Sequence, residues 1–122
     1  MVNSMTSKQL NQKLITLLPE IEEFYTEEVT WQEGDETGSH VIFGDVLVPF
    51  VLKNSDFDII KKCFDVVESI LELNDEYAEE VITLSFLENF VYENDYFEKQ
   101  MKERTKKIFN TLKNSLNYID EE

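Results

Sequence analysis

Cysteine, histidine, proline and glycine are all scarce in this chain of 122 residues, which has one, one, two and three of them. The lone thiol, Cys63, excludes an intramolecular disulfide, and with a single imidazole there is no cysteine/histidine ligand set for a metal. Too few glycines remain for a glycine-rich phosphate loop, and no nucleophile–base pair stands out, so an enzyme is not expected. No apolar run approaches the ~20 residues of a membrane span, and MVNSMTSKQLNQ has no apolar core for secretion. A cytoplasmic location without membrane contact is the expectation. Positive charge is scarce as well: 11 Lys and Arg stand against 26 Asp and Glu, for a net charge of −15.

The remaining composition is that of a folded protein. Hydrophobic residues make up 42% and Phe alone occurs nine times, which a disordered acidic tail would not carry. One domain over residues 1–122 fits the length, with roughly two thirds of the unfolded surface buried. The periodicity predicts an all-α domain of about five helices, arranged as an irregular bundle or a short helical-repeat stack.

Ser7 is a reasonable cap for a helix over 7–18 with Leu10, Leu14, Leu17 and Leu18 on one face. Pro19 restarts a second helix to about Val29, with Glu20, Glu22 and Glu23 near its positive end. Residues 31–39 (WQEGDETGS) read as an exposed loop. The nearly continuous apolar run HVIFGDVLVPFVLK fits either a kinked helix capped by Ser39 or a hairpin turning at Gly44 and Asp45. From Asp56 the helical pattern is strong: Phe57, Ile60, Cys63, Phe64, Val67 and Leu71 belong to an apolar arc, while Asp65, Glu68 and Glu72 face outward. Asn74 and Asp75 break this helix and cap the next, whose stretch 81–92 is apolar almost all round. Such a helix belongs at the centre, with a polar strip of Ser85, Glu88 and Asn89. Asn94 or Asp95 then starts a last helix to about Tyr118, with Phe97, Met101, Ile108, Leu112, Leu116 and Ile119 inward.

At HVIFGDVL (40–47) and ITLSFLENF (82–90) the chain resembles a group of small, acidic, uncharacterised bacterial helical proteins, over roughly residues 15 to 95. Proteins of this size and make-up look like immunity proteins of bacterial toxin systems. The resemblance implies a helical inhibitor and leaves the toxin unidentified.

Charge carries the functional reading. From Cys63 to Glu98 there are eleven acidic side chains and no Lys or Arg. Like charge in excess of what solubility needs destabilises the compact state, which points to a positively charged protein partner, a toxin domain among the candidates. The candidate contact residues are Trp31, Glu33, Asp35 and Glu36, where an aromatic anchor stands among carboxylates, and Asp75, Glu76, Glu79 and Glu80 on the acidic helix start. His40, Asp45, Ser85, Glu88 and Asn89 form a candidate structural strip, in which Glu88 and Asn89 hydrogen-bond His40 or the backbone of residues 44–46. No cofactor or metal is expected, because adjacent glutamates such as Glu79 and Glu80 diverge by about 100° on a helix. Lys99, Lys102, Arg104, Lys106 and Lys107 are too few, and sit in too negative a field, for nucleic acid. The expected protein is thus a monomer or weak homodimer that occludes a cationic toxin. The alternative is an adaptor that holds a partner segment in a helical groove.

Overall fold

In the computed structural model the described residues are 4–31, 38–93 and 95–120, with backbone only for Trp31 and 117–120. Among them are six helices and no strand. Helix α1 is Ser7–Leu17, and α2 is Glu22–Trp31, entered through the tight turn Pro19–Ile21. Helix α3 runs without a break through Ser39–Val41, Ile42–Leu47 and Val48–Lys53, so the hairpin alternative falls and the kinked helix stands. Helix α4 is Phe57–Leu71; α5 comprises Glu76–Val81, Ile82–Phe86 and Leu87–Phe90; α6 is Glu103–Asp120. No helix among the described residues is long and apolar enough to cross a membrane.

Helix starts follow from short polar side chains, in part at other positions than the sequence pattern suggests. Thr6, rather than Ser7, caps α1 and forms a reciprocal capping box with Gln9. Ser7 lies one residue inside, where its hydroxyl meets the Tyr77 hydroxyl at 2.6 Å. The residue before α3 is Gly38, and Ser39 is buried inside the helix, donating from Oγ to Asn11 Oδ1 at 2.7 Å and to the Ser7 carbonyl. Asp56 accepts from the Asp58 and Ile59 N–H groups at the head of α4. Asn74, in the left-handed region with φ 56°, ends the turn that follows α4, as Asn tolerates that backbone better than most residues.

The core has an aromatic centre. Phe64 on α4 meets Phe86 and Phe90 of α5 at 5.6 Å between centroids, and Phe90 meets Phe97 at 5.0 Å, with tilted or edge-on rings. Helix α1 packs on α3 and α4, while α6 packs on α4 and α5. Cys63 is fully buried as the apolar pattern predicts, and burial pushes its thiol up to about 12. Helix α5 is less central than its sequence implies. Val81, Ile82, Phe86, Leu87 and Phe90 are buried, but Leu84 is 53% exposed.

The last helix begins later than the pattern predicts. After the turn Glu98–Gln100 the backbone is extended at Met101, and α6 starts only at Glu103. Its cap comes from another helix. Glu68, expected on the outer face of α4, is buried and accepts the N–H groups of Arg104 (3.1 Å) and Thr105 (2.9 Å) and the Thr105 hydroxyl (2.9 Å). A carboxylate at a helix N-terminus gains both hydrogen bonds and dipole attraction, which offsets its burial.

Candidate functional site

The segments HVIFGDVL and ITLSFLENF lie against each other. Residues 42–47 of α3 and 82–86 of α5 both form wide helical turns, in which an N–H reaches back five residues: Val48 to the Phe43 carbonyl and Leu87 to the Ile82 carbonyl. Pro49 follows the first wide turn directly, so its missing N–H and its ring fall where the helical register has already shifted. Gly44 faces the Ser85 carbonyl, which a Cβ at that position would meet at 3.4 Å. His40 Nδ1 is hydrogen-bonded to Ser85 Oγ, and its Nε2 lies 3.4 Å from Glu80 Oε2. Asn89 donates from Nδ2 to the Ser85 carbonyl at 2.9 Å, satisfying a backbone acceptor beside the second wide turn.

Of the expected polar strip, the structure brings His40, Ser85 and Asn89 together, with partners that differ from those expected. Glu88 is exposed and bonds neither His40 nor the residue 44–46 backbone, because Ser85 occupies the position facing the imidazole. Asp45 is also exposed. A serine hydroxyl, an imidazole and a carboxylate in sequence have the composition of a nucleophilic relay. Here Glu80 is 58% exposed in its side chain and neither groove described below is lined by His40 or Ser85. The His40 contacts with Ser85 and Glu80 link α3 to α5. Among the described residues no cluster of His, Cys, Asp and Glu is arranged to hold a metal ion.

The acidic start of α5 divides into anchors and free charges. The Asp75 carboxylate accepts the N–H groups of Met5 (2.8 Å) and Ala78 (2.9 Å), so it ties the amino-terminal segment to α5. Glu80 faces His40, whereas Glu76 and Glu79 are exposed. Trp31 is the last residue of α2, its side chain outside the described residues, and Glu33, Asp35 and Glu36 lie outside them altogether.

An open groove of about 1030 Å³ between α2 and α3 was not singled out by the sequence. Val46, Pro49, Phe50 and Phe24 give it an apolar floor, with Phe24 47% exposed and its ring 5.8 Å from that of Phe50. Glu27, Glu28 and Asp45 edge it, and Lys53 is the one cation among its lining residues. Phe24, Glu27 and Glu28 share a face because they are three and four residues apart on a helix, a signal present in the sequence but hidden among many glutamates. A second groove of about 800 Å³, between α5 and α6, has mixed charge: Glu79 and Glu103 against Arg104 and Lys107.

The described ion pairs account for only part of the negative charge. Lys62 holds Glu20 at 2.7 Å and keeps that carboxyl below its ordinary value, while Asp65 receives both Lys61 and Lys102, at 3.2 and 3.6 Å. Lys113 pairs with Glu98 and Lys99 with Asp95. Glu22, Glu23, Glu27 and Asp45 are exposed and have no cation in ion-pair range among the described residues.

A family model described as a domain of unknown function (DUF7674) matches residues 11–117. The chain belongs to that family, and the match continues past the region 15–95 through most of α6. No curated protein and no solved structure matches the chain.

Proposed function

We propose that this protein is a non-catalytic acidic binding protein, an immunity or inhibitor protein that neutralises a cationic bacterial toxin domain by covering it. The observation that carries the reading is a set of exposed carboxylates, Glu22, Glu23, Glu27 and Asp45, with no cation in ion-pair range among the described residues, of which Glu27 and Asp45 line an apolar groove. Complementary charge raises the encounter rate by orders of magnitude at low salt, and aromatic anchors such as Phe24 slow dissociation. Exposed Glu76 and Glu79 add to the negative charge offered to such a partner, and the contact expected of Trp31, Glu33, Asp35 and Glu36 belongs to the same reading. A nuclease suits the partner's chemistry, because a surface built to hold phosphate is cationic.

The test is co-expression with the product of the adjacent gene, followed by affinity capture at about 50 mM and about 500 mM salt. Capture at low salt that weakens steeply at high salt, together with protection of cells from that product, supports the proposal. Failure to capture at low salt contradicts it. The alternative, an adaptor that binds a partner segment chiefly through the apolar groove, predicts capture that salt hardly changes.

A further inference from the structure

The groove between α2 and α3 combines features that select one kind of occupant. Its floor is apolar and aromatic, and its edge carries Glu27, Glu28 and Asp45 against a single cation, Lys53. Helix α2 has ten residues, so the groove wall is about 15 Å long at 1.5 Å per residue, which matches a partner helix of about three turns. We infer that this groove is the docking site for a short basic amphipathic helix of a partner protein, its apolar face on Phe24 and Phe50 and its Lys or Arg side chains against Glu27 and Asp45. The inference rests on the reading of the protein as an acidic binder and names where that binder makes its contact.

Charge argues against other occupants. A second copy of the chain would bring the same carboxylates to the same rim, which repels. The sequence 32–37 holds Glu33, Asp35 and Glu36 and no cation, so its charge has the wrong sign for an occupant of this groove. Helix-in-groove recognition uses apolar anchors at helical spacing, and the 5.8 Å separation of the Phe24 and Phe50 rings offers one continuous platform for two such anchors. Phe24 is 47% exposed, so its removal exposes little new core and leaves the fold intact.

The experiment uses the full chain and a fluorescein-labelled synthetic peptide of about 14 residues, with Leu at i, i+3, i+4 and i+7 and Lys on the opposite face. A scrambled peptide of the same composition serves as control. Binding is followed by fluorescence anisotropy at about 50 mM salt. The expected result is that Phe24→Ala weakens the amphipathic peptide at least fivefold and the pair Glu27→Lys, Asp45→Lys at least tenfold. The remote pair Glu72→Lys, Glu93→Lys, exposed and outside the groove lining, should change it less than twofold, and the scrambled peptide should bind at least tenfold more weakly. Circular dichroism of each variant verifies folding. If the remote pair weakens binding as much as the groove pair, or Phe24→Ala changes nothing, the groove inference falls while the broader electrostatic reading survives. If neither peptide binds at low salt, both fall. A stable dimer occluding Phe24 in solution also overturns the inference.

Discussion

Glu68 supplies a cap to a helix that has no acceptor side chain of its own at that point. The residue preceding α6 is Lys102, whose ammonium only donates, so the N–H groups of Arg104 and Thr105 turn to a carboxylate from α4. Replacing Glu68 with Ala leaves the buried Thr105 N–H and the part-buried Arg104 N–H without that partner and removes a charge–dipole contact, and should cost about 2–3 kcal/mol in urea unfolding. Glu68→Gln keeps one acceptor and should cost about 1 kcal/mol. Hydrogen exchange at Arg104 and Thr105 should rise first; an Ala variant as stable as the parent would remove the capping role. Cys63 gives a second expectation at this scale. With its thiol near 12 instead of the ordinary 9.0, the thiolate fraction at pH 8 falls about a thousandfold. Labelling by iodoacetamide at pH 8 should therefore be slower by orders of magnitude in the native protein than in urea, and equal rates would place the thiol at the surface. Burial of Cys63 was legible from the apolar arc of α4, whereas that of Glu68 was not. A 3.6-residue period assigns Glu68 to the polar edge, and only the later arrival of α6 covers it.

At the level of elements, what the sequence exposes is side-chain periodicity, and what it conceals is hydrogen-bond register. Helix α4 was legible as an element because its apolar face spans about half the circumference, although Phe57 in its first turn is 50% exposed and Glu68 is buried. The wide turns of α3 and α5 were not, since a shift from i→i+4 to i→i+5 leaves a nearly all-apolar sequence unchanged in pattern. They are nevertheless the places where the HVIFGDVL and ITLSFLENF segments meet, so the motifs correspond to a helix–helix joint held by His40 and Ser85. Gly44 tests how close that joint is. A Cβ there would reach the Ser85 carbonyl at 3.4 Å and Ser85 Cβ at 3.8 Å, both ordinary van der Waals contacts. Gly44→Ala should thus be neutral or stabilising by up to about 1 kcal/mol, from the lower backbone entropy of Ala in a helix. Gly44→Val extends past the available space and should cost about 1–3 kcal/mol by overpacking. Thermal melts of the pair decide this; a large loss from Ala alone would mean that the wide turns tolerate no atom between them.

For the whole molecule the deciding quantity is the balance between a net charge of −15 and a handful of mostly exposed ion pairs. Exposed pairs contribute about 0–1 kcal/mol each and lose it in salt, whereas uncompensated like charge opposes the compact state and is relieved by salt. The sign of the net response follows from which set is larger. Lys61 and Lys102 share one carboxylate, Asp65, so the cations do not spread over the available acids, and Glu22, Glu23, Glu27 and Asp45 have no ion-pair partner among the described residues. The sequence disclosed the surplus. It did not disclose its placement beside the Phe24–Phe50 platform, because α2 and α3 come together through the long-range packing of the fold. Raising salt from about 10 to about 300 mM shortens the screening length from about 30 Å to about 6 Å, which removes most of the repulsion between neighbouring helices. The free energy of unfolding should rise over that range by about 1 kcal/mol, read from urea midpoints at constant pH. The double variant Glu27→Lys, Asp45→Lys changes the net charge by +4, and its salt response should be visibly flatter than that of the parent. A parent protein that loses stability in salt would show that attraction already dominates its surface, and a cationic partner would then have no repulsion to relieve on docking.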